Sequence, residues 1–387
     1  MTDEEFWFWL CNCEGIYSES IGRLIAAYGN PENIYRSDYK KLAADEAVNK
    51  KLIWNLMQEK KSGSFLKRFD KMKNEGMDFI YFGSEAFPEK LKVIPDHPWC
   101  LYVKGNLPDP AAPSCAIVGA RACSEYGKKQ AVEFSSVLAG HGTQIISGMA
   151  AGIDSIAQKA AIDAGGATFA VLGGGADVIY PAQNIGLYCE ITASGGGIIS
   201  EYPPGTAPLA WQFPHRNRII SGLSDKLLII EARKRSGTLT TARHALDQGR
   251  DIYALPGRIT DPLSEGCNEL IYDGAGILLS PRYILNDLLW NKEGRSRKAL
   301  EPDRKNIRAD MADPSAELKS KPVCTPHKTA PEAGEESILE YLSSSPCRAD
   351  EIAGKANISI EEATVKLTML ELEGLAKEIS KDFYIKA

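Results

Sequence analysis

Over the first 75 residues apolar and polar positions alternate at helical spacing, broken by a turn at Gly29-Asn30-Pro31, with no competing strand-like pattern. The pattern predicts a small helical, SAM-like domain. From Cys115 onward it becomes a repeated phrase, in which a short apolar run meets a Gly- or Ser/Thr-rich loop and then a helical stretch. Cys115-Ala116-Ile117-Val118 leads into Gly119-Ala120-Arg121 and a helix from about Glu125; Gln144-Ile145-Ile146-Ser147 leads into Gly148 to Gly152 and a helix from Asp154. Thr168 to Leu172 runs into Gly173-Gly174-Gly175, and Lys226 to Ile230 into Arg235-Ser236-Gly237-Thr238, a helix ending near Gly249, and a further run from Asp251 to Leu255. Wholly apolar runs alternating with helices are strands of a parallel sheet covered on both faces. The expected fold class is therefore α/β, a Rossmann-like, doubly wound, mostly parallel sheet.

Upstream of that sheet, Phe87-Pro88 and Pro95-Asp96-His97-Pro98-Trp99 read as an irregular segment leading into a short strand at Leu101-Tyr102-Val103. Downstream, residues 291–334 hold 17 charged residues, five prolines and no aromatic, too little apolar surface to order themselves, and are expected to be a flexible linker. The tail places Ile338, Leu339, Tyr341 and Leu342 on one helical face, then Ile352-Ala353, then Val365, Leu367, Leu370 and Leu372. It closes with two β-like stretches at Ala376 to Ile379 and Phe383 to Ile385. Three helices and a hairpin in such a span are the plan of a winged helix. The resulting divisions are 1–75, 76–290, 291–334 and 335–387.

The chain has 387 residues, 44% hydrophobic and 25% charged, the composition of a globular protein rather than a disordered or fibrous one. No membrane span is expected. Met1-Thr2-Asp3-Glu4-Glu5 before Phe6 to Leu10 lacks the basic start and small-residue cleavage site of a signal peptide, so a cytoplasmic location is expected. The nine cysteines form no Cys-x-x-Cys pair and no His stands at zinc-finger spacing, so neither a structural metal nor a disulfide framework is expected. Gly-x-Gly-x-x-Gly is missing after the first apolar run, where the chain reads Gly119-Ala120-Arg121-Ala122-Cys123-Ser124, and there is no Gly-x-x-x-x-Gly-Lys-Ser/Thr loop. No nucleotide cofactor is implied.

Net charge is −6, but its distribution is uneven. His215 to Arg258 carries nine basic residues against four acids, whereas residues 335–387 carry six against eleven. Phosphate contacts supply most non-specific affinity for nucleic acid, so the sheet domain, not the winged helix, is the DNA candidate. In a doubly wound sheet ligands sit beyond the carboxyl ends of the strands, where all the glycine loops gather. Phe213-Pro214-His215-Arg216-Asn217-Arg218 adds two cations, an amide and a ring, and an exposed ring stacks on unpaired bases.

These residues carry a resemblance. Val118-Gly119-Ala120-Arg121, Ser147 to Asp154, Val171 to Pro181, Ser200 to Gly205, Phe213 to Ser221, Ser236 to Ala242, Leu255-Pro256-Gly257 and Gly266 to Ile271 follow one another as in the DNA-processing protein A (DprA, or Smf) family, which the chain resembles from Phe87 to about Ser280. The resemblance implies single-stranded DNA binding in the Rossmann-like domain, a homodimer formed through it, and loading of RecA recombinase in natural transformation, without enzymatic activity. It implies that Arg121 and the backbone of Gly119, Ser147 and Gly148 hold phosphates. Arg216, Asn217, Arg218, Ser236, Gly237 and Thr238 would stand on neighbouring loops, and Phe213 beneath a base. The chain departs from the pattern at Ala151 and Gln158, and Gly15-Ile16-Tyr17-Ser18 lacks the second glycine of a DNA-binding helix–hairpin–helix.

Two rivals differ in class. Nucleotide phosphoribohydrolases share the fold type but place a catalytic Glu where this chain has Lys234 to Thr241, with threonines and no carboxylate. Asp154 and Glu201 are the other carboxylates that hydrolysis could use. A protein adaptor acting through the acidic tail would leave the basic centre unexplained.

Overall fold

The computed structural model describes residues 1–38, 42, 49–292, 341, 347–356, 358–372, 376–380 and 383–386. They fall into two compact units, Met1–Asn286 and Asp287–Ala387.

The first unit begins with α1 (Asp3–Cys11), where the Thr2 hydroxyl accepts the Glu5 N–H and the Glu5 carboxylate accepts the Thr2 N–H. This capping box starts a helix whose five consecutive residues Phe6 to Leu10 are all buried, so it is wrapped by neighbours on every side. Around it lie α2 (Ser18–Tyr28), α3 (Pro31–Arg36), α4 (Lys50–Ser62) and α5 (Ser64–Asn74). Asn30 caps α3 ahead of Pro31 at the turn read from the sequence.

A nine-stranded sheet follows. Its strands are β1 (Met77–Tyr81), β2 (Cys100–Gly105), β3 (Ser114–Val118), β4 (Gln144–Ser147), β5 (Thr168–Val171), β6 (Gly197–Ser200), β7 (Lys226–Ile229), β8 (Asp251–Ala254) and β9 (Gly276–Ile277). Their order is β1-β2-β6-β5-β4-β3-β7-β8-β9, parallel from β6 to β9 and antiparallel at β1 and β2. Strands β3 to β7 are buried at every position, which is why their sequences read as unbroken apolar runs. The helices between them are α6 (Glu89–Lys92), α7 (Glu125–Gly140), α8 (Ile153–Asp163), α9 (Ile185–Ala193), α10 (Gln212–Leu223), α11 (Gly237–Asp247) and α12 (Glu265–Tyr272), with α13 (Pro281–Lys292) last. Leu270-Ile271-Tyr272 closes α12, and the chain turns at Gly274 before β9.

Two cores lie on opposite faces of the sheet. Phe79, Tyr102, Ala170 and Ile198 face the helical layer, and their strand neighbours Leu101, Val103, Phe169 and Ile199 face the other way. Phe8 joins helix to sheet, its ring packing edge-on against Phe69 at 5.1 Å, Phe79 at 5.2 Å and Tyr102 at 6.4 Å.

In the second unit α14 (Ala349–Ala356) and α15 (Ile360–Leu372) pack on a three-stranded antiparallel sheet. The sheet is ordered β10 (Cys347–Arg348), β12 (Phe383–Lys386), β11 (Ala376–Ser380), and the core holds Ile352, Leu367, Leu370 and Tyr384. This is the winged-helix plan. The first helix expected there lies outside the described residues except for Tyr341, and the expected linker does so beyond Lys292.

Because Phe8 belongs to both the helices and the sheet, Phe8→Ala should destabilise the first unit by about 3–5 kcal/mol. Calorimetry should then show helices and sheet still melting in one transition at lower temperature.

Candidate nucleic-acid interface

Parallel strands end together, and the order reverses between β3 and β7, where the following loops diverge and open a crevice. A cleft of about 630 Å³ lies there, lined by Gly119 and Arg121 from the loop after β3, Phe213, Arg216 and Asn217 from α10, Arg233 and Ser236 from the loop after β7, and Gly237 and Thr238 from the start of α11. Tyr180 forms part of its rim.

Three loop–helix junctions meet here, and two are filled by the chain's own carboxylates. Asp154, in the first turn of α8, accepts the Gly148 N–H at 3.1 Å and a hydrogen bond from the Gly119 backbone. Glu231, buried at the end of β7, accepts the Ser124 N–H at 2.9 Å and the Ser124 hydroxyl, at the N-terminus of α7. The start of α11 is open: Ser236 makes no side-chain cap, its buried hydroxyl has no partner among the described residues, and Gly237 is exposed. Backbone N–H groups at such a terminus attract anions. Ser147 and Gly148, expected to hold phosphates, instead lie beneath the cleft without lining it. The Ser147 hydroxyl donates to the Ile117 carbonyl at 2.6 Å, and the Gly148 amide is used by Asp154.

The two arginines of the hexapeptide, both expected on the binding surface, are separated by helix geometry, since positions two apart on α10 differ by about 200° in direction. Arg216 is 5% exposed and forms the cleft floor, donating to the carbonyls of Gly148 at 3.1 Å and of Val171. Burial lowers its pKa to about 10, opposed by the charge of Asp154. Burial raises the pKa of Asp154 in turn, opposed by Arg216. Arg218, 2% exposed, lies outside the cleft and bonds Glu201 at 2.6 Å and Asp96 at 3.1 Å. Burial alone would lower its pKa, yet Glu201 and Asp96 hold it above the ordinary value. It is a strut, not a free cation. Glu201, one of the carboxylates suspected of hydrolytic chemistry, is taken up by this pair.

Arg121 is exposed and makes no ion pair among the described residues. Its guanidinium stands 5.5 Å from the centre of the Phe213 ring, a cation–π distance. Phe213 is half-buried, with Tyr180 5.4 Å away. Behind the Arg121 loop, Gly152 has φ +84°, and a Cβ there would come within 2.4 Å of the Ala120 and Arg121 carbonyl oxygens. Asn217 lies beside Gly237, its amide 3.5 Å from that carbonyl. Arg233 and Tyr180 were not singled out from the sequence, although Arg233 belongs to the basic count and Tyr180 to one of the motifs.

A switch-point crevice with exposed arginines, an aromatic ring and an open helix terminus is of the kind that α/β proteins offer to anions, and here it is accompanied by a winged helix. Residues 78–289 match the family model of DNA recombination-mediator protein A, and residues 323–379 that of the DprA winged helix domain. Protein Smf of Escherichia coli K12 is 33% identical over 383 residues, covering 97% of this chain and 93% of that protein. The X-ray structure of DNA processing protein A from Streptococcus pneumoniae is similar with a TM-score of 0.64 and 34% identity, over 74% of this chain and 98% of that one. That of Helicobacter pylori, described for its single-stranded DNA binding mode, has a TM-score of 0.50 and 31% identity, over 56% and 96%. The chain belongs to the DprA/Smf family of DNA-processing proteins.

Removing Asp154 with Asp154→Ala leaves Arg216 buried without its counter-charge and should cost about 3–5 kcal/mol in chemical denaturation. Asp96 behaves differently with pH. The hydrogen bond from His215 and the charge of Arg218 hold its pKa below the ordinary value, against the effect of burial. A depressed carboxylate stabilises above its unfolded pKa and loses that effect as pH falls through the folded one. Asp96→Asn should therefore lower Tm near pH 7 and converge on wild type well below about pH 3.9.

Proposed function

We propose that this protein binds single-stranded DNA in the switch-point cleft, protects an incoming strand and loads RecA recombinase onto it in natural transformation. The observation that carries the reading is the exposed Arg121, without an ion pair among the described residues, over the half-buried Phe213 ring beside the open start of α11. Arg121 and Arg233 meet backbone phosphates, and the amides of Gly237 and Thr238 with the Ser236 hydroxyl and the Asn217 side chain meet a further one. Phe213 stacks on a base, a contact open to unpaired strands and closed to a duplex. Gly119, Ser147, Gly148 and Arg216 shape the floor, and Arg218 holds α10 in place. The binding mode named for the H. pylori relative supports the ligand class.

A homodimer is part of the proposal. Flanking the edge strand β9 in the chain stand Tyr272 at 91% exposure and Leu279 at 68%, and the loop after β8 carries Ile259 at 89%, apolar groups that a second copy would cover. Light scattering at micromolar concentration should give a particle of twice the 42.2 kDa chain mass, and the chain mass alone would count against it.

Oligonucleotide affinity measured at several salt concentrations tests the site. Arg121→Ala should weaken binding of every sequence alike and reduce the salt slope by about 0.7. Phe213→Ala should lose about 1–3 kcal/mol with the slope unchanged. Wild-type behaviour in both variants would remove the cleft from consideration. Deleting residues 335–387, whose charge is −5, should leave single-strand affinity equal or slightly higher.

A further inference from the structure

The most basic stretch of the first unit is not at the cleft. Residues 49–74, spanning α4 and α5, carry eight basic residues against the two acids Glu59 and Asp70. Several of those charges are already used: Arg68 pairs with Glu59 at 2.7 Å, Lys73 with Glu4 at 2.8 Å, and Lys60 bonds the Tyr35 carbonyl and lies over that ring. Lys50, Lys51 and Lys61 make no ion pair among the described residues, and all three are exposed.

Helix periodicity puts these three together. On α4, Lys50, Lys51, Trp54, Gln58 and Lys61 fall within an arc of about 100°, while Leu52, Ile53 and Leu56 fall on the opposite side and are buried. The buried side anchors the helix in the core and leaves the basic stripe in solvent. In its middle Trp54 is 57% exposed, whereas Trp7 and Trp9 of α1 are 6% and 1% exposed. Lys50 and Lys51 also stand at the positive end of the helix dipole with no acid in that turn, an arrangement that local helix stability disfavours. Cations spaced along a ridge with an exposed ring between them match a single strand, whose phosphates repeat and whose bases are free to stack.

We propose that this outer face of α4 is a second contact surface for single-stranded DNA, in which Lys50, Lys51 and Lys61 meet phosphates and Trp54 meets a base. The proposal deepens the single-strand reading and rests on it for the ligand class, but the surface shares no residue with the cleft. A long strand then contacts both places, and a strand of one site's length is held in the cleft alone.

The test uses the full chain carrying Lys50→Gln, Lys51→Gln and Lys61→Gln together, and separately Trp54→Ala; glutamine keeps helix propensity close to that of lysine. Binding is titrated against salt with an oligonucleotide of about 6 nucleotides and with one several times longer. On the long strand the triple variant should lose about 2 from the salt slope and roughly 10- to 100-fold in affinity near 0.1 M salt. Trp54→Ala should lose roughly 5- to 150-fold with an unchanged slope. Both should bind the short strand as wild type does, while Arg121→Ala loses it. If the short strand ignores Arg121→Ala, the cleft reading fails and the long-strand data still report on α4. Wild-type long-strand binding in both α4 variants, or a loss confined to duplex DNA, overturns the proposal.

Discussion

Everything at the cleft depends on the buried pair of Asp154 and Arg216. Taking two charges out of water costs several kcal/mol each, and their attraction offsets this only when the remaining donors and acceptors are satisfied. Here they are: Arg216 donates to the carbonyls of Gly148 and Val171, and Asp154 accepts from the backbone of Gly119 and Gly148. These hydrogen bonds, together with the attraction of two buried charges that form no direct salt bridge, tie the ends of β3, β4 and β5 to α10. The fit leaves no spare volume, since a Cβ on Gly148 would come within 2.7 Å of Arg216 and 2.9 Å of Asp154. An apolar pair of the same size would avoid the desolvation cost but would abandon the amides and carbonyls that the charges satisfy.

That arrangement limits what the crevice can hold. A dinucleotide site needs converging amides at the first loop–helix junction, yet Asp154 and Glu231 already occupy two junctions with carboxylates. The remaining contacts are spread out: one open helix start, two exposed guanidinium groups and one ring. Spread contacts of moderate strength suit a polymer, because a strand presents a new phosphate to each of them and affinity accumulates along its length. The ring is covered by Arg121 when the cleft is empty, so an arriving base exchanges a cation–π contact for stacking, while the displaced guanidinium gains a phosphate.

Which of this could be seen in the sequence follows from which distances were local. Strands β3, β4, β5, β7 and β8 and the helices after β3, β4 and β7 were legible because burial on two faces and the glycine turns both act within a few residues, whereas β6 and α10 were not read. β1 was not legible, since only Met77 and Phe79 of its five residues are fully buried and two such positions make no pattern. Glycine loops announce that something approaches the backbone closely, but Ser147 and Gly148 show that a carboxylate of the same chain satisfies the same geometry as a phosphate. Arg216 and Arg218 look alike in the hexapeptide. Their fates are decided by Asp154, by Glu201 and by Asp96, the last separated from Arg218 by 122 positions.

The same reasoning changes the meaning of the charge counts. The nine basic residues between His215 and Arg258 suggest a strong positive field, yet Arg216, Arg218, Lys226 and Lys234 each face a carboxylate. Arg233, Arg235, Arg243 and Arg258 remain exposed and without an ion pair among the described residues, Arg250 donates to the Gly222 carbonyl, and Arg121, outside that stretch, joins the exposed four. Charge on the rest of the chain counts for little here, because salt at about 0.15 M screens exposed charges beyond roughly 8 Å. A protein of net charge −6 can therefore present a cationic cleft, and the quantity that governs a polyanion is the number of cations left without an internal partner.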